Sequence, residues 1–377
     1  MTMTTTTSAV LREVVQERPY STSEPISFEE LTLDDPGPTE VLVRIKAAGL
    51  CHSDLSVVNG DRVRPLPMAL GHEAAGVIVA TGDAVTDVLV GDHVVMVYVP
   101  SCGECAFCAS GQPALCARGA ASNGAGELLA GGRRLHDADG AEIQHHLGVS
   151  AFSQYAVVDR SSVVKVGYDV PYDVAALLGC AMSTGYGSVV RTADVRAGET
   201  VIVIGLGGVG LSAVIAAAAV GAGQVLAVDP VESKRALALE LGATAAAAPG
   251  DVADLLAEGW DGGADWVFEA VGAGPVMEQA YRFTKRGGTT VFMGLPHPDV
   301  SFSVPALSII AESRTIKGSY MGSTRPQEDI PDMVRLWREG RLPVERLISA
   351  HRPLSELNEA LEALADGTAV RQILVAD

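Results

Sequence analysis

Short apolar runs broken by turn residues dominate the first part of the chain. Between Val41 and Val99, the runs VLVRIKAAGL, AAGVIVATG and GDHVVMVYV are rich in Val and Ala and are separated by segments that contain Gly and Pro. Runs of this length and composition predict strands, and their close succession is typical of antiparallel pairing. We therefore expect a mainly antiparallel or barrel-like domain in this region.

Two other regions lack such a pattern. Residues 117–150 are rich in Gly, Asp and His and show little periodicity, so we expect a long excursion outside the core. The Thr-rich start, MTMTTTTSAVLREVV, lacks the basic beginning and the apolar run of a signal peptide. This start predicts a frayed end and a cytoplasmic protein.

After Cys180 the pattern changes to strands that alternate with helices. The strand candidates are VIVIG, VLAVD, WVFEAVG and TTVFMGL, and the segments VGLSAVIAAAAV and ESKRALALELGA have the composition of intervening helices. This order predicts a doubly wound parallel sheet. Thr200–Val228 carries no charged residue and is long enough for a membrane span, but its glycines divide it into strand, turn, helix and strand. Two amphipathic helices, DIPDMVRLWREG and LSELNEALEALADG, and the strand QILVA complete the chain.

Composition and charge indicate which classes of binding partner are not expected for this protein. Hydrophobic residues make up 48% of the 377 residues and charged residues 19%, which predicts a compact fold rather than a disordered chain. The 27 Lys and Arg against 46 Asp and Glu give a formal charge of −19. Such a surface repels phosphate backbones and anionic lipids, so we expect neither nucleic acid nor a membrane as a partner.

A glycine-rich turn joins the first strand of the predicted parallel sheet to its helix: Gly205-Leu206-Gly207-Gly208-Val209-Gly210. In this context the G-x-G-x-x-G pattern predicts a dinucleotide site, with the pyrophosphate at the helix N-terminus. The next strand ends at Asp229, whose carboxylate can hydrogen-bond the ribose hydroxyls and would repel a 2′-phosphate, which favours NAD over NADP. Lys234 is either a further ribose contact or a solvated lysine. In the alternative interpretation, the glycines only permit a tight turn and Asp229 only caps the next helix.

Four of the six cysteines lie close together with the spacing C-x2-C-x2-C-x7-C, at Cys102, Cys105, Cys108 and Cys116. In a chain without an export signal, such closely spaced thiolates predict a tetrahedral structural zinc site rather than disulfides. An iron–sulfur cluster uses similar spacings and is the alternative.

The remaining cysteines, Cys51 and Cys180, are far apart in the sequence, and Gly71-His72-Glu73 lies between them. Two thiolates and one imidazole form a ligand set that holds a catalytic zinc with a fourth position open. Glu73, next to His72, is a candidate for a group behind the ligands or for a transient ligand. The alternative is that these side chains are ordinary packed core residues.

The motifs GLCHSD, GHEAAG, the four-cysteine segment and GLGGVG, in this order, resemble those of the zinc-dependent alcohol dehydrogenases of the medium-chain dehydrogenase/reductase family. The resemblance runs from about residue 35 to the C-terminus. It implies an α/β protein with a GroES-like β-barrel catalytic domain, residues 1–180 and 323–377, and an inserted Rossmann NAD-binding domain, residues 181–322.

The resemblance also implies roles for individual residues. Two zinc ions are expected, one catalytic on Cys51, His72 and Cys180, and one structural on Cys102, Cys105, Cys108 and Cys116. Ser53 corresponds to the hydroxyl that takes the substrate proton. The remaining positions bind the cofactor or line the substrate pocket: Thr184 at the nicotinamide, His52 and Arg371 at the pyrophosphate, and Tyr98, Leu147 and Leu295 in the pocket, where each could equally be core.

The implied activity is reversible hydride transfer between a primary or secondary alcohol and NAD, which yields an aldehyde or ketone. The long segment before HHLGVSAFSQYAVVDR is similar to that of the liver-type dimeric members and favours a homodimer. Those members often carry a histidine five residues after the first zinc cysteine, where this chain has Ser56.

Two alternatives have different functions. Glutathione-dependent formaldehyde dehydrogenases usually carry an acidic residue and an arginine where this chain has Arg62 and Ala120, so we rank S-hydroxymethylglutathione below simple alcohols. A catalytically silent NAD-binding protein is the second alternative. The complete set of catalytic zinc ligands argues against it.

Overall fold

The computed structural model describes residues 4–367 and 369–375. The chain folds into two compact units. One contains the described part of Met1–Cys180, Arg325–Val334 and the described part of Ile348–Asp377; the other contains Ala181–Thr324 and Arg335–Leu347. We call them the first and the second unit.

The strands are β1 (Thr4–Leu11), β2 (Ile26–Leu33), β3 (Glu40–Leu50), β4 (Met68–Ala69), β5 (Ala74–Thr81), β6 (His93–Met96), β7 (Leu135–His136), β8 (Glu142–His145), β9 (Tyr155–Asp159), β10 (Val163–Val166), β11 (Thr200–Ile204), β12 (Gln224–Val228), β13 (Ala245–Ala247), β14 (Ala264–Glu269), β15 (Thr284–Phe292), β16 (Thr315–Gly318), β17 (Ile348–Pro353) and β18 (Arg371–Val375).

The α-helices are α1 (Tyr20–Ser23), α2 (His52–Val58), α3 (Ala106–Ala109), α4 (Ala117–Ala125), α5 (Tyr172–Leu178), α6 (Ala181–Gly187), α7 (Gly208–Ala219), α8 (Glu232–Glu240), α9 (Val252–Gly259), α10 (Gly274–Arg282), α11 (Ala306–Ala311), α12 (Pro326–Arg338) and α13 (Leu357–Ala365). Short 3-10 helices span Pro113–Leu115, Arg160–Ser162, Met321–Ser323, Val344–Leu347 and Leu354–Glu356, and a π-helical segment spans Ser188–Ala193.

The first unit is built from two mainly antiparallel sheets. One is a closed barrel in the order β1-β2-β7-β8-β4, and the other is a seven-stranded sheet in the order β10-β6-β5-β3-β18-β17, with β9 paired to β3. Strand β18 returns from the C-terminal part of the chain and pairs antiparallel with the end of β3, with Gln372 opposite Leu50. These sheets confirm the expected barrel-like domain.

Two expectations for the first unit are wrong. The Thr-rich start is not frayed from Thr4 onward, because β1 pairs with β2 along its whole length and buries Thr6. Threonine is β-branched and suits a strand, which is why a polar run can be built into a barrel. Residues 1–3 lie outside the described residues.

Residues 117–150 are not an excursion outside the core. Leu128, Leu135 and Ile143 from this segment are buried in the barrel core together with Val10 and Leu31. The strands β7 and β8 are only two and four residues long, so each contributes too few positions to show a two-residue alternation in the sequence.

The second unit contains a six-stranded parallel sheet in the order β13-β12-β11-β14-β15-β16. This sheet confirms the predicted doubly wound fold. The uncharged stretch Thr200–Val228 forms β11, α7 and β12, and most of its apolar side chains are buried in the unit. Within residues 4–367 and 369–375, no single helix is long and apolar enough to cross a membrane. The helical segments Tyr172–Leu178 and Ala181–Ala193 reach the required length and apolar composition only when taken together, as a bent pair.

The C-terminal part also differs from the expected division into domains. The predicted amphipathic helices are α12 and α13, but Arg335–Leu347 belongs to the second unit rather than to the first. The guanidinium of Arg341 donates to the Ala219 carbonyl at the end of α7, and Arg346 pairs with Glu240 at the end of α8. These contacts tie the end of α12 and the following segment to the second unit.

Candidate active site and metal centres

Four side chains from three segments of the first unit converge on one buried point. The ligand atoms of Cys51, His72, Glu73 and Cys180 all lie within 4.8 Å of one another. Cys51 is the N-cap of α2, while His72 and Glu73 directly precede β5 and Cys180 follows α5. Gly71 permits the turn before His72, because its φ is +96° and an added Cβ would lie 2.4 Å from the Phe152 backbone nitrogen.

A buried carboxylate orients the imidazole of His72. Asp54 Oδ1 lies 2.9 Å from His72 Nδ1, and Asp54 Oδ2 accepts the Cys51 backbone N–H at 3.0 Å. A protonated Nδ1 donates to Asp54, which leaves the lone pair of Nε2 for a metal, and Nε2 lies 3.5 Å from Cys180 Sγ. Burial by itself raises the pKa of Asp54, but the facing imidazoles of His72 and His146 outweigh burial and lower it.

The two thiols behave as a coupled pair. The hydrogen bond with Cys180 holds the pKa of Cys51 well below its usual value, and the charge of Arg371 acts in the same direction, whereas burial opposes it. The same hydrogen bond, together with burial, raises the pKa of Cys180. Two sulfurs and one imidazole nitrogen are donors that zinc prefers, and a bound cation would stabilise both thiolates. The residues therefore fit a catalytic zinc.

Glu73 is the fourth member of this cluster and is fully buried. Neither of its carboxylate oxygens accepts a hydrogen bond from the described chain, and burial raises its pKa to about 7 against the opposing charge of Arg371. The Arg371 guanidinium lies 3.4 Å from Glu73 Oε2 and donates to the Leu50 carbonyl at 3.2 Å. Arg371, which sequence reasoning assigned to the pyrophosphate, is thus packed between Glu73 and the end of β3.

Four other predicted site residues also lie in the first unit. His52 and Ser53 are the first residues of α2; His52 is exposed and Ser53 is half-buried. The Tyr98 ring packs edge-on against the His72 ring, with 5.4 Å between their centroids. Leu147 is buried and has a φ of +53°.

Thr184 and Leu295 lie in the second unit. Thr184 is buried in α6, and its carbonyl accepts the Ser188 hydroxyl at 2.7 Å. Leu295 is exposed, with 55% of its surface accessible.

The four-cysteine segment forms a second candidate metal centre. The sulfurs of Cys102, Cys105, Cys108 and Cys116 lie within 4.8 Å of one another, and none of the four forms a disulfide. Backbone N–H groups point at the sulfurs, from Cys102 and Gly119 to Cys116 and from Cys105 to Cys102, at 3.3 to 3.4 Å. The Cys108 N–H lowers the pKa of Cys105 to about 6, and burial raises that of Cys108 to about 12. Four sulfurs at this separation fit a closed structural zinc site.

The glycine-rich turn connects β11 to α7 in the second unit. Gly205 has a φ of +90°, and a Cβ on Gly210 would lie 1.8 Å from the Gly205 carbonyl oxygen, so both positions require glycine. Gly207 is exposed, and a Cβ there would meet nothing within 4 Å. Helix α7 begins at Gly208, followed by Val209, so its first N–H groups lie at this open face. The open face at a helix N-terminus fits a phosphate group.

Asp229 directly follows β12 and is buried. Its Oδ2 accepts the Leu206 N–H of the glycine-rich turn at 2.8 Å, and its Oδ1 accepts the Val231 N–H at 2.8 Å, just before α8. The carboxylate thus joins the turn to the residue before α8. The N-cap of that helix is Val231 and has no side-chain cap, so Asp229 does not cap α8 in the way that the alternative interpretation assumed. Lys234 lies half-buried on α8.

Sequence reasoning missed three residues near these sites. Asp54 had one usable signal, because an acidic residue at the third position of a helix is typical of a capping box with the N-cap residue. His146 and Arg235 had none: His146 reaches Asp54 only through tertiary folding, and Arg235 donates to the carbonyls of Asp229 and Pro230.

Comparisons with known proteins match two separate parts of the chain to domains of one enzyme family. Residues 37–168 match the alcohol dehydrogenase GroES-like domain, and residues 208–339 match the zinc-binding dehydrogenase domain. The chain is 40% identical over 368 residues to an NDMA-dependent alcohol dehydrogenase of Amycolatopsis methanolica, which covers 94% of this chain and 97% of the relative.

Two further proteins are similar to the chain over nearly its whole length. The chain is 35% identical to an S-(hydroxymethyl)glutathione dehydrogenase of Saccharomyces cerevisiae, over 95% of each chain. The crystal structure of benzyl alcohol dehydrogenase from Acinetobacter calcoaceticus superposes with a TM-score of 0.90 at 31% identity, over 100% of each chain. The family predicted from the sequence is thus confirmed, and with it alcohol oxidoreduction as the class of activity. The chain belongs to the zinc-dependent alcohol dehydrogenases of the medium-chain dehydrogenase/reductase family.

Proposed function

We propose that the protein oxidises a primary or secondary alcohol with NAD and catalyses the reverse reduction of the aldehyde or ketone. The observation that carries this proposal is the convergence of Cys51, His72 and Cys180 on one buried point of the first unit. Three protein ligands of this type leave one position for a substrate.

Cys51, His72 and Cys180 would hold the catalytic zinc, and Cys102, Cys105, Cys108 and Cys116 would hold a structural one. When bound at the first site, zinc supplies a Lewis acid that polarises the alcohol oxygen and lowers its pKa. Asp54 keeps the His72 ring in one orientation by binding both Nδ1 and the Cys51 backbone N–H. The ligands therefore need little rearrangement for each catalytic cycle.

Ser53 would accept the proton that leaves the substrate hydroxyl. It lies two residues after the ligand Cys51, in the first turn of α2, and is half-buried. A neutral serine hydroxyl cannot keep a second proton near neutral pH, so as it accepts the substrate proton it must donate its own proton onward to a neighbouring hydroxyl group or to water.

The second unit would bind NAD at the glycine-rich turn. Gly205, Gly207, Gly208, Val209 and Gly210 form an open helix N-terminus that suits the pyrophosphate. Asp229 directly follows β12, where a carboxylate favours ribose hydroxyls and disfavours a 2′-phosphate. The other proposed cofactor contacts are His52, Thr184, Lys234 and Arg371.

The substrate pocket would include Tyr98, Leu147 and Leu295. An aromatic ring and aliphatic side chains favour apolar alcohols. One relative of known structure is a benzyl alcohol dehydrogenase. We therefore propose aromatic and medium-length aliphatic alcohols as the first substrates to test.

The decisive experiment is an activity panel on the purified, zinc-analysed protein. Primary, secondary, aromatic and terpenoid alcohols are each assayed with NAD, with NADP and with NDMA, the compound on which one relative depends according to its name. Cys51→Ser serves as the matched inactive variant and should retain about one zinc per chain while losing turnover. Turnover that requires NADP or NDMA would refute the NAD assignment, and loss of both zinc ions from Cys51→Ser would refute two independent sites.

S-hydroxymethylglutathione is the second candidate substrate, because one relative is named for it. The half-buried Arg62 and the exposed Ala120 do not supply the acidic residue and the arginine that usually hold the glutathione moiety. We expect this substrate to be turned over more slowly than benzyl alcohol in the same panel.

A homodimer is also proposed. Strand β16 ends the parallel sheet of the second unit, and α11, which precedes it, has no buried residue. Leu307 and Ile310 on α11 are 76% and 79% exposed. A second copy of the chain would cover both the unpaired strand edge and these apolar side chains.

The cytoplasmic location of the protein stays a prediction.

A further inference from the structure

A second histidine, His146, lies against the residues that orient the proposed zinc ligands. It is 1% exposed, its Nδ1 lies 3.3 Å from Asp54 Oδ1, and its ring packs edge-on against His72 with 5.2 Å between the ring centroids. We infer that His146 is a positioning residue, which holds Asp54 against His72 and so slows the loss of zinc from the catalytic site.

Asp54 carries the connection between His146 and the ligands. Its carboxylate has no access to water and contacts the Cys51 backbone N–H, His72 Nδ1 and His146 Nδ1. The His146 contact is within ion-pair distance but does not meet hydrogen-bond geometry. In a dry environment, each polar group near a carboxylate has a large effect on where that carboxylate rests. His146 thus opposes any movement of Asp54 away from His72.

A strained turn keeps His146 in this place. Leu147 and Ser150 both have a left-handed backbone, with φ of +53° and +51°, which is uncommon for residues other than glycine. The Ser150 hydroxyl accepts the His146 backbone N–H at 2.9 Å, and the Val149 N–H donates to the His146 carbonyl at 3.0 Å. Strain of this kind persists only where surrounding contacts hold it, and it occurs most often at functional sites.

The neighbouring His145 is a control that distinguishes a positioning role of His146 from simple packing in the core. It is fully buried at the end of β8, directly before this turn, but its Nε2 accepts the Arg134 N–H at 3.1 Å, and its Nδ1 lies 3.4 Å from the Ser150 hydroxyl. His145 makes no contact with Asp54 among the described residues. Replacing it should disturb the turn without removing the contact between His146 and Asp54.

The test is zinc release from the full-length, zinc-loaded protein to an excess of chelator, followed with a colorimetric zinc dye. The phase that is absent in Cys51→Ser is assigned to the catalytic site. We expect His146→Leu to speed that phase by about 3- to 10-fold, less than the 10- to 100-fold effect typical of removing a direct partner of a metal ligand. His146→Asn, whose amide nitrogen can replace Nδ1, should restore most of the parent half-time.

The matched control is His145→Leu, with melting temperature measured for every variant. It should lower the melting temperature to a similar degree as His146→Leu but leave the catalytic-site phase unchanged. An unchanged phase in His146→Leu, or equal acceleration in both variants, would overturn the inference.

The inference rests on the proposed catalytic zinc, and its failure is distinguishable from failure of that proposal. A parent protein without the Cys51-dependent phase would refute both. A parent with that phase and an unaffected His146→Leu would refute the positioning role alone.

Discussion

At the scale of single residues, the site depends on buried groups that lack solvent and must satisfy one another. Glu73 and Arg371 lie 3.4 Å apart in a fully buried setting, and Asp54 contacts two imidazoles. Removing one member of such a set leaves another charged or polar group uncompensated, which costs more than the net value of the pair. Conservative substitutions are therefore the informative ones at these positions.

The proton pathway gives the first residue-scale prediction. The residue five positions after Cys51 is Ser56, whose hydroxyl donates to the His52 carbonyl at 3.0 Å. Because a serine hydroxyl does not titrate near neutral pH, this position supplies no base to the proton pathway. Alcohol oxidation should favour alkaline pH. Ser53→Ala should reduce kcat/KM for oxidation by about 10²-fold or more, the usual scale for a positioned proton-transfer group.

Ser56→His is the matched gain-of-function variant for this pathway. A histidine with a pKa near 6.5 would add a base, so the relative activity between about pH 6 and 8 should rise. The measurement is the pH profile of kcat/KM for both variants and the parent. Nearly full activity of Ser53→Ala would argue against the relay, and an unmoved profile of Ser56→His would show that proton exit does not limit the rate.

Cofactor choice is the second residue-scale prediction. Asp229→Gly should weaken NAD binding and admit NADP, because ribose hydrogen bonds are lost together with repulsion of the 2′-phosphate. Since Asp229 also holds the Leu206 and Val231 N–H groups, some loss of thermal stability is expected. Glu232→Ala removes a nearby charge and serves as the control. The measurement is the Kd of each cofactor for every variant. A ratio of the NADP Kd to the NAD Kd that is unchanged in Asp229→Gly would contradict the assignment.

At the scale of elements, short segments are stabilised by what they bind or pack against. Helix α3 has four residues and no buried side chain, and the following 3-10 helix has three residues. Such pieces have little intrinsic stability. In the four-cysteine segment, a metal ion would supply the stabilising contacts that a hydrophobic core supplies elsewhere.

Cys105→Ser tests this stabilisation. The substitution should lower the melting temperature or cause aggregation, because a hydroxyl is a poor zinc ligand and the segment would lose its metal. Ser110→Ala, in the same segment, changes a hydroxyl that donates to the nearby Phe107 carbonyl, and should leave the melting temperature close to that of the parent. Equal melting of Cys105→Ser and the parent would count against a structural zinc.

At the scale of the whole molecule, two units of different construction divide the tasks. The first holds both candidate metal centres, and the second holds the glycine-rich turn and Asp229. The chain enters the second unit at Ala181, directly after Cys180, a proposed zinc ligand. It returns at Arg325, leaves again with Arg335–Leu347, and ends in the first unit, where β18 brings Arg371 beside Glu73.

Oligomeric state is the prediction at this scale. Ile310→Glu should convert a dimer to a monomer or weaken its association strongly, since a charge would replace an apolar side chain in the proposed interface. Val63→Glu changes another highly exposed apolar residue, in the first unit, and should leave the dimer intact. Light scattering after gel filtration gives the mass of each form. A monomeric parent, or a dimeric Ile310→Glu over a range of concentrations, would refute this interface.

The sequence alone determined the features whose parts are close together along the chain. The four-cysteine segment, the glycine-rich turn and the strand that leads to Asp229 are local, so residue spacing already constrains their geometry. The alternation of strands and helices after Cys180 similarly determined the parallel sheet. The family motifs also pointed to Cys51, His72 and Cys180, the proposed zinc ligands, which are far apart in the sequence and are brought together by the fold.

Only the tertiary structure decided the arrangements that depend on distant segments. Pairing of β18 with β3 buries Arg371 beside Glu73, and the strained turn places His146 against Asp54, although neither pair shows any spacing signal. The barrel likewise recruits the Thr-rich β1 and the short strands β7 and β8. The physical reason is that local propensity is weak in short or polar segments, and burial against partners far along the chain outweighs it.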